Sequence, residues 1–398
     1  MVEHAALTGD AGARAVPGKR SDGADLDALL GQRASTHAAL PALAGSPGAI
    51  AWTHAELALR IDAIAAQLRE LGLEAGSTAL VVGGASPDAV ASIFAVRQAG
   101  LRLALLALGG DASALAAACV AAGAEALIGC GGHEFGNLAA LVASAAAGAP
   151  CVRFVAVCGG EPASGIINLG APAGYPLSSP APSPTPAMQP MLSFGREAGA
   201  AAGSLFTMEE IAASAASLRA MLPDTGAAVF STLPPLSMAG LVAGPCLAWG
   251  GDAPLSLHLH GPFDSHAFVD ALTRAGPAHL VIPEALASAV LQAPDAVRNI
   301  ASLILVQRHA SPAAMAAAIP RLAGVTKVPA VDLHCVNEAL TLPVARDSNG
   351  RARSVTETSC GPDDYSRRSG SGATRNLPTA PGSVDSDAVR RERHRGSL

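Results

Sequence analysis

The chain has 398 residues, half of them hydrophobic, which suffices for two or three domains or for one large α/β domain with tails. Its formal net charge of -6 and its aromatic content of 3% argue against a general nucleic-acid binder, because such proteins present basic surfaces and aromatic stacking platforms. We therefore expect no nucleic-acid partner.

The seven cysteines contain no Cys-x-x-Cys pair and their number is odd, which favours reduced thiols in an intracellular protein. The N-terminal segment lacks an apolar stretch and carries early acidic residues, so it does not resemble a secretory signal. The longest uncharged apolar stretch, residues 225–251, contains three prolines and predicts a turn-rich core segment instead of a membrane span. We expect a cytoplasmic protein with no membrane span.

A helix is predicted after Thr53, because Thr53 and Glu56 have the spacing of a capping box. Gly72 is the expected end of that helix. The apolar residues between these two signals share one helical face: Leu57, Ile61, Ile64, Leu68 and Leu71.

Strand and helix patterns continue to alternate up to about residue 160. The predicted strands cover residues 79–82, 101–107 and 126–128, and the predicted helices cover residues 87–98 and 112–122. Strands that alternate with helices of 10–15 residues indicate parallel βαβ units, so the predicted fold class is α/β with a covered parallel sheet.

Residues 171–190 hold seven prolines and are predicted to be a linker or an exposed loop. The elements predicted after it are helices at 205–222, 263–275 and 283–292, and strands at 227–232, 279–282 and 302–306.

Three regions are predicted along the chain. Residues 1–25 form a flexible leader, and residues 26–345 form one large domain that includes the proline-rich linker. Residues 346–398 are polar, rich in Ser, Gly and Arg, and almost free of large apolar side chains, so they are predicted to be a disordered tail.

The segment MLSFGREAGAAAGSLFTM, residues 191–208, has glycines placed like those of a phosphate-binding loop. It resembles the T-S-G-T-T-G-x-P-K-G nucleotide loop of the adenylate-forming superfamily, which includes acyl-CoA synthetases and acyl-AMP ligases. Gly195 and Gly203 stand for the bounding glycines. The hydroxyl and lysine positions of the family carry other residues here: Arg196, Glu197, Ala198, and Ala201 or Ala202.

Further segments follow the order of the same family. AWTHAEL is similar to the T-Y-x-E-L opening, and STLPPLSMAGLVAGP is similar to the P-L-F-H-x-x-G motif, with Ser237 in place of the family's histidine. The resemblance covers residues of about 30–345. It implies the layered parallel-sheet large N-terminal domain of these enzymes.

The family's adenine and magnesium motif, N/D-x-Y-G-x-T-E, is similar to residues 332–338, DLHCVNE. Asp332 and Glu338 are retained, whereas His334 replaces the tyrosine and Asn337 replaces the threonine. The resemblance implies ATP and Mg²⁺ as cofactors, with Mg²⁺ held by Glu338 and adenine stacked on His334. The alternative is that Glu338 is an ordinary surface acid. The candidate cofactor-binding residues are Gly195, Arg196, Gly203, Asp332, His334, Asn337 and Glu338.

Two features of the family are not recognisable after Pro343: the Y-x-T-G-D segment and the small C-terminal domain with its catalytic lysine. The last lysine is Lys327. Acyl adenylation builds negative charge that Mg²⁺ and lysine stabilise. We therefore expect a degenerate, C-terminally truncated relative with impaired catalysis, and no catalytic residue is assigned.

Three hypotheses remain open from the sequence. The first is an AMP-dependent ligase-like protein, ancestrally activating a fatty or aryl carboxylic acid with ATP to acyl-AMP for thioester formation. The second is a non-catalytic pseudoenzyme that binds an acyl compound, a nucleotide or a protein partner. The third is a decaying gene product without a settled role.

Three other groups of residues were weighed. His258 and His260 have the spacing of zinc ligands on one face of a strand, but no third ligand is evident and surface residues are favoured. His133 and Glu134 are read as an ordinary loop. Gly83 and Gly84 follow a strand without the G-x-G-x-x-G spacing of a dinucleotide site.

Overall fold

The computed structural model describes most of the chain between residues 26 and 345. The described ranges are 26–45, 51–107, 111–131, 137–159, 163–170, 190–194, 203–251, 255–260, 265–291, 297–309, 328–336 and 340–345. The predicted leader (1–25), nearly all of the proline-rich linker (171–190) and the predicted tail (346–398) lie outside them. Both sheets of the fold lie in one compact unit.

Helices and strands alternate along these ranges. The helices are α1 (Leu26–Thr36), α2 (His54–Glu70), α3 (Pro87–Gln98), α4 (Ala112–Ala122), α5 (Leu138–Ala147), α6 (Met208–Ala220), α7 (Met238–Leu241), α8 (Leu247–Trp249), α9 (Ser265–Ala275) and α10 (Glu284–Leu291). The strands are β1 (Pro41–Ala44), β2 (Trp52–Thr53), β3 (Thr78–Gly83), β4 (Arg102–Ala107), β5 (Ala124–Cys130), β6 (Phe154–Cys158), β7 (Ile167–Leu169), β8 (Met191–Phe194), β9 (Gly203–Phe206), β10 (Ala228–Ser231), β11 (Leu257–Leu259), β12 (Ala278–Pro283), β13 (Ile300–His309), β14 (Ala330–Val336) and β15 (Leu340–Ala345).

The capping box predicted for α2 is present. The Thr53 hydroxyl accepts a hydrogen bond from the Glu56 amide at 3.2 Å, and the Glu56 carboxylate accepts one from the Thr53 amide at 2.8 Å. Two otherwise unpaired amides are thus satisfied at the helix start. Gly72, with φ of 70°, follows the helix in the left-handed conformation that favours glycine.

One sheet, which we call the first sheet, contains strands from the N-terminal half of the chain. Its order among the described strands is β7-β6-β5-β3-β4-β8-β9. All neighbours pair in parallel except β8 and β9, which form an antiparallel hairpin. The predicted parallel βαβ architecture is confirmed.

The other sheet, which we call the second sheet, has the order β15-β14-β13-β12-β10-β11-β1-β2. Its central strands are parallel, and the pairs β1–β2 and β14–β15 at its two edges are antiparallel. Strand β1 lies near the start of the chain yet pairs with β11. The second sheet therefore joins strands that are more than 200 residues apart in sequence, since Leu43 aligns with Leu257.

The two sheets share a buried layer between them. One core cluster contains side chains from both sheets together with α2, α3, α6 and the α7–α8 segment, including Phe94 and Trp249. A second cluster joins the outer face of the first sheet to α4 and α5, and a third joins the outer face of the second sheet to α9 and α10. The result is a helix–sheet–helix–sheet–helix arrangement of five layers.

Two sequence predictions needed correction. The helix predicted at 205–222 begins later, because residues 203–206 pair with β8 and Thr207 caps α6. The turn-rich segment predicted at 225–251 contains β10 and then a buried helical run, α7–α8, interrupted by a π-helical turn at Val242–Cys246. Pro245 lies inside that turn, and its missing amide explains the local departure from α-helix.

Among the described residues, no helix has both the length and the apolar character needed to cross a membrane. The six described cysteines form no disulfide bond with one another. Cys360 lies outside the described residues.

Candidate functional site

The candidate site is at the carboxyl edge of the second sheet. Strands β10 to β14 are parallel, so their carboxyl ends reach the same edge. In open α/β sheets, ligands bind in the crevice outside this edge. Two of the residues predicted from the adenine motif, Asp332 and His334, are on β14 and point to the same face because they are two residues apart.

His334 contacts a histidine that the sequence did not single out. The Nδ1 atom of His334 and the Nε2 atom of His309 share a hydrogen bond of 2.9 Å. Their rings are stacked, with centroids 5.1 Å apart and planes 26° from parallel. Only 5% of His334 is exposed. The ring predicted to stack on adenine therefore already stacks on His309 in this conformation.

Asp332 is completely buried on the same face. Its Oδ1 accepts a hydrogen bond of 3.2 Å from the amide of Gln307 on the neighbouring strand. Buried carboxylates require such partners, because desolvation disfavours an unbonded charge. The structure thus gives Asp332 a role inside the sheet, and the nucleotide contact implied by the motif stays a prediction.

The electrostatic surroundings of the histidine pair combine burial with a nearby acid. Burial lowers the pKa of His309, because the protonated ring loses water, and the carboxylate of Glu284 opposes that shift. Glu284 is the first residue of α10, which packs on β12 and β13.

The candidate phosphate loop connects β8 and β9 and is therefore the tip of a hairpin. Gly195 and Arg196 lie outside the described residues, whereas Gly203 begins β9 and pairs with Phe194. A Cβ at Gly203 would lie 3.0 Å from the Phe194 ring. A larger residue here would press on the Phe194 ring, and a phosphate contact of Gly203 stays a prediction.

A buried hydroxyl lies at the base of that hairpin. The Oγ atom of Ser193 is buried and has no hydrogen-bond partner in the described structure. Buried polar groups are nearly always bonded, so this hydroxyl has capacity for a water or a ligand oxygen.

Asn337 and Glu338 lie outside the described residues, so the Mg²⁺ contact of Glu338 stays a prediction. In the described part of the chain, no group of three acidic, histidine or cysteine side chains is arranged to hold a metal ion. The described polar groups on this face are an imidazole pair, an amide and a carboxylate.

Ser237, which stands where the family motif has histidine, caps α7. Its hydroxyl accepts a hydrogen bond of 3.1 Å from the Gly240 amide and donates one of 3.0 Å to the carbonyl of Pro234. A Cβ at Gly240 would collide with that same carbonyl. The described contacts of this motif are those of a tight, buried helix start.

The other candidate residues that the structure describes pack against neighbouring residues of the core. The rings of His258 and His260 both contact Phe230, with centroids 6.2 Å and 5.9 Å from it, which confirms that they share a face. Burial lowers the pKa of His258. Gly83 approaches the Cys130 carbonyl too closely for any Cβ. His133 and Glu134 lie outside the described residues.

Known proteins share this architecture. Residues 30–182 match the AMP-binding family, described as AMP-binding enzyme. The anthranilate CoA ligase AuaEII in complex with anthranoyl-AMP superposes with a TM-score of 0.60 at 16% identity, covering 78% of this chain and 59% of that one. MbtA of Mycobacterium smegmatis superposes with a TM-score of 0.61 at 20% identity, covering 82% and 61%.

The chain has the fold of the adenylate-forming enzymes. The predicted resemblance to this superfamily is thereby confirmed, as is the predicted α/β fold class with layered, largely parallel sheets. The chain spans about three-fifths of the length of these two relatives. The N-terminal subdomain of NpsA from Klebsiella oxytoca, in complex with 3-hydroxybenzoyl-AMSN, also superposes, with a TM-score of 0.54 at 14% identity over 77% of this chain and 71% of that one. No curated protein sequence matches this chain.

Sequence reasoning identified Asp332 and His334 in this adenylate-forming fold but missed Gln307 and His309. These two residues lie about 25 positions earlier, and only the parallel register of β13 and β14 brings them alongside. A polar residue at every second position near the end of an otherwise apolar strand was the available signal.

Proposed function

We propose that this chain is the large domain of an adenylate-forming ligase-like protein that binds ATP and a carboxylic acid. The AMP-binding match over residues 30–182, together with the five-layer fold, is the observation that carries this proposal. Mg²⁺, when bound, would neutralise charge on the phosphates, and Glu338 is the residue proposed to hold it. By the family motif, His334 would lie beside the base.

An aryl acid is the substrate class that we favour. AuaEII and NpsA are described with anthranoyl-AMP and 3-hydroxybenzoyl-AMSN, respectively. The acceptor after activation would be a thiol, as in the ligase AuaEII. A fatty acid is the other acid to test.

We also propose that adenylation by this chain is weak. The candidate phosphate loop has Arg196, Glu197 and Ala198 where the family has hydroxyls, and alanine where it has lysine. Lysine and hydroxyl donors stabilise the charge that develops on the phosphates, and the loss of one such donor costs about 10²–10³ in rate. A carboxylate at Glu197 would in addition repel phosphate.

Thermal unfolding of the full chain tests binding. ATP·Mg²⁺, or a non-hydrolysable anthranoyl-AMP analogue, at about 100 times its dissociation constant should stabilise the native state by about 2.7 kcal/mol. We expect a rise in the midpoint with the analogue and a smaller rise with ATP. An unchanged midpoint with both ligands would exclude the proposed binding site.

ATP–pyrophosphate exchange tests chemistry separately. Exchange that requires anthranilate or 3-hydroxybenzoate and is lost in Glu338→Ala would show adenylation. Binding without exchange would favour the second candidate function, a non-catalytic protein that holds an acyl compound or a nucleotide. The altered loop is the observation that favours this candidate.

A further inference from the structure

Two of the described cysteines meet on the outer side of the first sheet. Cys119 is in the last turn of α4 and is completely buried, whereas Cys151 lies just after α5 and is half-buried. The Sγ atom of Cys151 lies 3.6 Å from the carbonyl oxygen of Cys119. The fold therefore brings these two residues together, although 32 positions separate them in the sequence.

Two contacts fix the segment that carries Cys151. The Arg153 amide donates a hydrogen bond of 2.8 Å to the carbonyl oxygen of Glu125 in β5. On the other side, Gly148 lies so close to α4 that a Cβ there would be 3.2 Å from the side chain of Ala116. Only residues 149–152 separate these two anchor points, so the chain is too short to carry Cys151 away from α4.

The two thiols differ in their access to solvent. Burial, followed by the charge that Cys151 can carry, raises the pKa of the Cys119 thiol to about 12. The thiolate is the reactive form of cysteine, so Cys119 stays protonated and does not react first. Reagents in solvent reach the half-buried Cys151 instead. The electrostatic effect of Cys151 on Cys119 is a second sign that the two sulfur atoms are neighbours.

We propose that Cys151 is a site of oxidation by peroxides, and that Cys119 completes the reaction by forming a disulfide bond with it. The resting state is the reduced pair. Because the pair lies on the outer side of the first sheet, this inference is independent of the proposed function.

The reaction has two steps. In the first step, the Cys151 sulfur attacks one peroxide oxygen, the O–O bond breaks, and a sulfenic acid and water form. In the second step, the Cys119 sulfur attacks the Cys151 sulfur, the S–O bond breaks, and the thiol proton leaves with the hydroxyl group as water. Two thiols lose two electrons in total, and the peroxide gains them. A dithiol reductant reverses the disulfide bond.

A second pair of neighbouring cysteines provides an internal control. Cys130 and Cys158 are aligned across β5 and β6, and the Cys130 thiol lies 3.2 Å from the Ser92 hydroxyl. Both cysteines are completely buried, and burial raises the pKa of both thiols. We expect this pair to remain reduced under conditions that link Cys119 to Cys151, because solvent reaches neither sulfur.

The test treats the folded full chain with a few equivalents of hydrogen peroxide, blocks the remaining thiols with iodoacetamide in denaturant, and identifies linked peptides by mass spectrometry. Cleavage after arginine and glutamate places the four cysteines in separate peptides: residues 103–125, 126–134, 135–153 and 154–161. We expect the peptides of Cys119 and Cys151 to be linked at least about tenfold more often than those of Cys130 and Cys158.

Two variants identify the order of the steps. In Cys119→Ser, Cys151 should remain a sulfenic acid that dimedone captures. In Cys151→Ser, Cys119 should remain a thiol after the same treatment. Thermal unfolding establishes that each variant is folded. Treatment of the wild-type chain in urea should remove the preference for this pair, since the fold brings the two residues together.

Four results would overturn the inference. The first is an oxidised, folded chain without a link between Cys119 and Cys151. The second is an equally frequent link between Cys130 and Cys158, which would show that exposure does not select the pair. The third is a link from Cys151 to Cys360 or to a second chain in place of Cys119. The fourth is the same preference in urea, which would show that the fold is not its cause.

Discussion

His54 shows how burial without hydrogen bonds affects a titratable side chain. It is 2% exposed at the start of α2, its ring lies 6.4 Å from Trp249, and neither ring nitrogen has a hydrogen-bond partner among the described residues. Burial, assisted by His37 and Arg33, lowers its pKa from 6.5 to about 4. The native state therefore holds this ring neutral at pH values where the unfolded chain protonates it.

This difference predicts a loss of stability in acid. Above pH 6.5 the ring is neutral in both states and contributes nothing to the pH dependence. As the pH falls from 6.5 to about 4, only the unfolded state gains the proton, so the free energy of unfolding drops by roughly 2–3 kcal/mol. Urea unfolding at pH 7.0 and 4.5 should show a smaller drop for His54→Phe than for wild type. Equal drops in the free energy of unfolding for the two proteins would contradict the assignment of this acid sensitivity to His54.

Gly203 and Gly31 offer a matched pair of substitutions with opposite expected signs. A Cβ at Gly203 would press on the Phe194 ring at 3.0 Å, whereas a Cβ at Gly31, inside α1, would meet nothing within 4 Å. Gly203→Ala should destabilise by about 1–2 kcal/mol through overpacking. Gly31→Ala should stabilise by about 0.5–1 kcal/mol through helix propensity. Chemical denaturation measures both, and stabilisation by Gly203→Ala would contradict the packing role.

At the scale of single elements, helix α1 is attached to α3 by a partly buried ion pair. Two nitrogens of Arg97 donate to one carboxylate oxygen of Asp27, at 3.1 Å and 2.9 Å, and the two side chains are 8% and 17% exposed. Removing one partner of a buried ion pair destabilises the protein more than removing one partner of an exposed pair, because the remaining charge stays desolvated.

Asp27→Asn should therefore destabilise by about 2 kcal/mol. The comparison is Glu125→Gln, which removes the charge that faces Arg153 in an ion pair with side chains 31% and 55% exposed. That variant should change stability by at most about 1 kcal/mol. The midpoints of urea unfolding, at an unchanged dependence of the unfolding free energy on urea, would measure the two losses of stability. Equal losses would mean that burial does not strengthen the Asp27–Arg97 pair.

The elements also show which sequence signals were sufficient. Helices α2, α3 and α4 were predicted within a few residues, because capping residues, proline and glycine mark their ends locally. Strands β8 and β9 were missed because each has only four residues, and β8 takes its parallel partner, β4, from some 90 residues earlier in the sequence. The same reason applies to the site: Asp332 and His334 follow a local motif, but their partners on β13 depend on strand register.

At the scale of the whole molecule, the layer between the sheets should make the two sheets unfold together. Trp249 is completely buried there and contacts Phe94 at 6.0 Å between ring centroids. Trp249→Ala should cost about 3–5 kcal/mol and reduce hydrogen-exchange protection in both sheets. Leu127→Ala, in the outer core of the first sheet, is the control and should reduce protection mainly in that sheet. Loss confined to one sheet in Trp249→Ala would show two independent units.

The pairing of β1 with β11 has a consequence for the timing of synthesis. Leu43 aligns with Leu257, so roughly 210 residues must be translated before β1 meets its parallel partner, about 10–40 s at usual elongation rates of 5–20 residues per second. The first sheet can assemble within that interval, whereas the early strand of the second sheet remains unpaired on that side. Slower decoding between residues 44 and 257 would prolong the time during which this apolar strand is available to chaperones or to other nascent chains.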